Sequence, residues 1–201
     1  MFDSRIVFVS HRQYIQGNPT KHLLRLIRGR PDALIIREKD LDTDALCKFV
    51  APLVVPADEA DVPIIINRDV ACAKRLKIPR IHLSYADFMR IQPTHRDFSS
   101  IGVSIHNIDE VLRLRHTDID YLLFGHVYAT ACKNNLPPRG LRHLRAICRL
   151  AKQPVLAIGG MTSQRLPEVM QCGAAGACFM HDAMTDASPH TIAARLRKGY
   201  S

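Results

Sequence analysis

The chain has 201 residues, 47% of them hydrophobic, with 28 Lys and Arg against 19 Asp and Glu and a formal net charge of +9. That length suffices for one well-buried core and falls short of two ordinary domains, so a single domain over residues 1–201 is expected. No apolar run approaches the ~20 residues of a membrane span, and the opening MFDSRIVFVSHR reads as a strand rather than a signal segment, so the cytoplasm is the expected location.

In chain order, short apolar runs alternate with charged, helix-periodic segments. Strands are predicted at about residues 6–10, 33–37, 63–67, 80–83, 101–105, 120–124, 154–158 and 176–180. Helices are predicted at about 20–29, 43–51, 69–77, 84–90, 107–115, 139–151, 163–171 and 189–198. Asn107 is placed to cap the fifth helix, with Asp109 and Glu110 in its first turn, and Thr162 or Ser163 to cap the seventh. Eight strand–helix units in one domain predict a compact α/β fold, a (β/α)8 TIM-type barrel, with a doubly wound open sheet as the alternative.

Six cysteines, at positions 47, 72, 132, 148, 172 and 178, include no Cys-x-x-Cys pair. Four fall in apolar or helix-like segments where a thiol packs as a small hydrophobe, and no structural zinc is expected. Cys132 lies in a polar loop and is read as a thiol without catalytic duty. The positive charge favours anions, but it is spread over helix-like segments such as Arg142, Arg145 and Arg149 with no nucleic-acid motif beside it, so these are read as solvated faces.

In a barrel, function collects in the loops that follow the strands. Here those loops hold Arg37, Asn67, Ser104 with His106, His126, the Gly159-Gly160 pair, and Met180 with His181. Tyr121 to Phe124 is an uncharged run that ends in Gly125 and His126. An imidazole ordinarily titrates near ~6.5 and can both take and return a proton at neutral pH, so His126 is the candidate acid/base, with Lys133 on the adjoining loop. His106 is read as a second participant or as a helix-capping residue. Gly159-Gly160 runs into a predicted helix start, where backbone amides can hold a phosphate, and Met180-His181 is the expected other wall of that site. No nucleotide-binding fingerprint and no Ser-His-Asp order is present. Asp69 and Asp87 are scattered loop acids, and no metal is assigned to them.

On these residues the chain resembles the TenI group, the thiazole tautomerases of bacterial thiamin biosynthesis, which are related in fold and sequence to thiamin phosphate synthases. The resemblance rests on DYLLFGHVYATACKNNLPPRGL and PVLAIGGMT, more loosely on IIREK, IIINRD, VSIHN and GAAGACFM, and spans about residues 33 to 182. The group's pattern has a histidine after Phe-Gly where the synthases usually carry Gly-Pro. The resemblance implies an isomerase that turns a phosphorylated, carboxylated dihydrothiazole into the aromatic carboxythiazole phosphate, with the histidine matching His126 as acid/base and no cofactor. A small phosphorylated thiazole is then the expected partner, nucleic acid and membrane are not, and the oligomeric state stays open, a homodimer included.

The chain departs from the group's pattern in three places. Ala131 replaces the acid of a Thr-Asp-Cys-Lys loop, His181-Asp182 stands where Ser-Gly is expected, and Arg68 with Tyr85 replaces an acidic magnesium ligand and a glutamine of the synthases, although Asp87 remains. A synthase-type transferase and a non-catalytic regulator are the alternative readings.

Overall fold

The computed structural model describes residues 5–130 and 136–199. The strands form one parallel sheet whose order closes as β1-β2-β3-β4-β5-β6-β7-β8, the closed (β/α)8 barrel that the alternating pattern predicts. The chain packs as two compact units, Ile6–His82 with Phe179–Gly199, and Leu83–Cys178 with Arg5.

In the first unit, β1 (Arg5–Val9), β2 (Ala33–Ile36), β3 (Ile64–Asn67) and the start of β4 (Arg80–Ser84) are built from Ile, Val, Leu and Phe. Such residues suit strands buried on both faces, which read as continuous apolar runs rather than alternating ones. Phe8 lies opposite Leu34, Ile35 opposite Ile65, and Asn67 opposite His82. Side-chain caps start three of the flanking helices. Asn18 Oδ1 accepts from Lys21 N ahead of α1 (Pro19–Arg28), Asp42 Oδ1 from Ala45 N ahead of α2 (Thr43–Glu59), and Asp69 Oδ1 from Cys72 N ahead of α3 (Val70–Arg75). Each supplies an acceptor to an amide that has none within its own helix.

The largest difference from the sequence reading is α2, which continues through Pro52 and Pro56 to Glu59 instead of stopping near residue 51. Proline at 52 leaves the carbonyl of Lys48 without its helical donor, and proline at 56 does the same to the carbonyl of residue 52. Both carbonyl-bearing residues are exposed, so water can serve them, while Leu46, Cys47, Val50, Leu53 and Ala57 keep one unbroken buried face. Burial of that face outweighs the two lost bonds.

The second unit holds β5 (Ser100–Ile105), β6 (Tyr121–Gly125), β7 (Val155–Ile158) and β8 (Gly176–Phe179) up to Cys178, with α4 (Tyr85–Ile91), α5 (Ile108–Leu114), α6 (Gly140–Leu150) and α7 (Leu166–Gln171) between them. Val103 lies opposite Leu122, Phe124 opposite Ala157, and Ala157 opposite Ala177. At the end of β6, Gly125 lies opposite Ile158. A Cβ at Gly125 would stand 2.7 Å from the Ile158 carbonyl oxygen, so only glycine fits this contact. Asn107 caps α5 through Glu110 N, as the sequence predicts. Ahead of α7 comes a single 3-10 turn, Ser163–Arg165, and Thr162 precedes it without a side-chain cap. Among the described residues, the 3-10 turn Arg12–Tyr14 and α8 (His181–Thr185) escape the sequence pattern, and α9 (Pro189–Lys198) packs on α1. Among the described residues no helix is long and apolar enough to cross a membrane.

Candidate active site

His126 follows directly on β6, as expected of a strand-end residue, yet it is only 4% exposed. The sequence reading has its side chain open to a ligand; here the chain folds back over it. Leu136 O lies 3.2 Å from His126 Nε2, Arg139 N donates to His126 O at 3.0 Å, and Arg139 Nε donates to Gly125 O at 3.2 Å. A carbonyl oxygen can only accept, so Nε2 carries a proton, and in the neutral ring the lone pair sits on Nδ1. Among the described residues, that buried Nδ1 has no hydrogen-bond partner. An unpartnered acceptor in a buried place is costly, which makes it a position to explain rather than to pass over.

Beside it runs the glycine loop. The β6–β7 pairing continues beyond the strand ends, with Val127 N donating to Ile158 O at 2.9 Å and Tyr128 N to Gly159 O at 3.1 Å. Gly159 has φ +99° and Gly160 φ +64°, a backbone that side chains rarely adopt. A Cβ on Gly159 would meet the Cβ of His126 and stand 2.6 Å from its Cα, and one on Gly160 would stand 2.5 Å from Ala129 O. These two glycines let the loop lie directly against the histidine. Among the described residues, the amides of Gly160, Met161 and Thr162 donate to no protein acceptor.

Of the other expected site residues in this unit, Ser104 lies near the end of β5 and is half-buried. His106 is drawn back onto α5, since Glu110 Oε2 accepts from His106 N at 2.6 Å and lies 3.7 Å from its Nδ1. The cap itself is Asn107, and His106 supplies its backbone amide to the Glu110 side chain that closes the arrangement. Lys133, with Ala131 and Cys132, lies outside the described residues.

In the other unit, Arg37 follows β2 and its amide donates to Ser10 Oγ, while Asn67 Nδ2 donates to His82 O at 3.1 Å. Met180 precedes α8, and the ring of His181 meets Tyr14 edge-on at 5.4 Å. Two buried polar groups stand out here: Glu38, one of the polar residues that follow the second strand in the sequence, and His82, which sequence reasoning passed over. Glu38 accepts from Ser10 Oγ at 2.6 Å and from the amide of Arg12, tying the loop after β1 to the loop after β2. His82, 3% exposed on β4, is held far below the ordinary imidazole value, at about 3, first by burial and then by the Arg37 cation. The one signal in the sequence was a lone histidine inside the apolar run at 80–83.

That depressed value has a consequence for stability. As pH falls below ~6.5 the unfolded chain protonates this imidazole, while the folded protein resists until about 3, so stability is lost across that interval. The slope is up to ~1.4 kcal/mol per pH unit. Between about pH 6 and pH 4 the wild type should lose roughly 2 kcal/mol from this group, and a His82→Gln variant should show a visibly shallower fall in urea midpoint. Parallel curves for the two proteins would assign the acid sensitivity elsewhere.

The resemblance sets Arg68 where the synthases carry an acidic magnesium ligand and Tyr85 where they carry a glutamine, with Asp87 retained. Arg68 contributes a cation, and both oxygens of Asp69 are committed, Oδ1 to Cys72 N and Oδ2 to Thr43 Oγ1, each at 2.8 Å. Asp87 accepts from Ser84 Oγ at 2.7 Å and from Arg90 Nη2 at 3.2 Å.

Residues 6–183 match the family model described as thiamine monophosphate synthase. The chain is 32% identical over 180 residues to the thiamine-phosphate synthase of Methanocella arvoryzae, covering 87% of this chain and 83% of that one. It is 31% identical over 189 residues to the thiamine-phosphate synthase of Chloroflexus aurantiacus, covering 92% and 83%. Among solved structures, a thiamine phosphate pyrophosphorylase from Pyrococcus furiosus superposes with a TM-score of 0.83 at 21% identity, covering 99% of this chain and 96% of that one, a likeness of fold.

Proposed function

The chain belongs to the thiamine monophosphate synthase family, and within it we propose that this protein is a thiazole tautomerase, converting a carboxylated dihydrothiazole phosphate to the aromatic carboxythiazole phosphate. The observation that carries the reading is His126, a strand-end imidazole whose Nε2 is bonded to Leu136 O and whose Nδ1 is free of described partners. Nδ1 takes the ring C–H proton, the electrons spread into the carboxylated C=N, and the proton returns to the exocyclic carbon. Aromatisation drives the reaction forward. The sheltered position excludes water, which would otherwise compete for the proton. The amides of Gly160, Met161 and Thr162 receive the phosphate, so binding and proton transfer are served by neighbouring loops of one unit.

The second reading, a thiamine-phosphate synthase, is favoured by the names of the relatives. The histidine at 126 and the cation at Arg68, where the synthase pattern has Gly-Pro and an acidic ligand, speak against it. One pair of assays separates them. With the dihydrothiazole phosphate, ultraviolet absorbance of the aromatic product should appear only in the presence of protein, and a chelator should leave the rate unchanged. With pyrimidine diphosphate, thiazole phosphate and magnesium, no thiamine phosphate should form; its formation at a catalytic rate would establish the synthase instead.

A further inference from the structure

We propose that Arg165 is a positioning residue for phosphate recognition, acting through the glycine loop; this rests on the phosphate reading of that loop given above. Arg165 ends the 3-10 turn after the loop, and its side chain returns across it. Nη1 donates to the Gly160 carbonyl, and the guanidinium carbon stands 4.4 Å from the centroid of the Tyr128 ring. Tyr128 is the second residue after His126, and its amide is bonded to Gly159 O. Its hydroxyl donates to Glu168 Oε2 at 2.6 Å, and burial first, then this bond, raises its pKa well above the ordinary phenol value. One cation therefore joins three things: the carbonyl side of the glycine loop, the aromatic ring on the histidine loop, and the turn leading into α7.

The orientation of the loop follows from this. A peptide has its C=O and N–H on opposite sides, so fixing the Gly160 carbonyl toward Arg165 fixes the Met161 N–H away from it. Without the guanidinium, that peptide has no described anchor, and its positive-φ neighbours allow it to turn. The charge adds to the positive potential of the loop as well. Arginine suits the task through its flat group, which stacks on the ring and donates in its own plane at once; a lysine ammonium is drawn to a ring too but cannot lie flat on it.

Two readouts test the role. Without ligand, amide exchange at Gly160 and Met161 should speed up in Arg165→Ala by about tenfold, a size set by one stacked cation with its hydrogen bond. With ligand, Arg165→Ala should weaken binding of carboxythiazole phosphate about tenfold while binding of the dephosphorylated alcohol and kcat at saturation stay within about twofold. Arg165→Lys should recover part of the loss. Tyr128→Phe, which keeps the ring, should stay near wild type, and Tyr128→Leu should resemble Arg165→Ala. Equal weakening of both ligands, or unchanged exchange and affinity in Arg165→Ala, would overturn the positioning role. A wild type that fails to prefer the phosphorylated ligand would instead overturn the phosphate reading, whatever the exchange data show.

Discussion

Replacing His126 by Gln is expected to lower the isomerisation rate by ~10²–10⁴-fold, with product affinity held within about threefold. Glutamine is the informative substitution because its amide can still donate to Leu136 O, preserving the contact that closes the loop over this position. What it lacks is a nitrogen that binds and releases a proton. Alanine would remove the same chemistry, but it would also leave a buried void and the Leu136 carbonyl without its donor, so rate and stability would fall together. Thermal unfolding of the Gln variant within a few degrees of wild type, together with the rate loss, assigns His126 to chemistry. Turnover within about threefold of wild type would reassign the base, and His106 is the next candidate despite its attachment to Glu110. A Gln variant that unfolds would mean that this histidine is part of the core.

The barrel was legible because its signal is local. Runs such as Ile64–Asn67 and Tyr121–Gly125 carry the strand propensity themselves, and Asn107 announces the start of α5, while the caps at Asn18, Asp42 and Asp69 were not singled out. The length of α2 was not legible, since it depends on which face the two prolines occupy, and that is set by packing. The same division holds at the site. His126 and the glycine pair are visible as strand-end residues, but the burial of His126 arises from a fold-back ten residues later, where Leu136 and Arg139 return to residues 125–126. The Arg165–Tyr128 stack joins residues far apart in the chain, and no spacing rule announces it. Little in the local sequence sets Glu38 or His82 apart from its neighbours. Their roles appear only once Ser10 and Arg37 are brought beside them.

Gly159→Ala is expected to be the most damaging single-methyl change in the glycine loop, because two penalties fall on one atom. The first is conformational: φ +99° is unfavourable for any residue with a Cβ. The second is steric, since that Cβ would press on the Cβ and Cα of His126, where no flexible side-chain end can give way. Together they should cost on the order of 2–4 kcal/mol, seen as a fall of roughly 5–15 °C in Tm. Gly17→Ala separates the two contributions. Gly17 has φ +85° but nothing within 4 Å of the added atom, so it reports the conformational penalty alone, about 1 kcal/mol. At temperatures where both variants remain folded, Gly159→Ala should also lose ~10²-fold in rate, because the methyl displaces the imidazole from its working position. Gly17→Ala should keep full activity. If Gly159→Ala matched Gly17→Ala in both stability and rate, the close approach of the glycine loop to His126 would have no part in the function proposed for it.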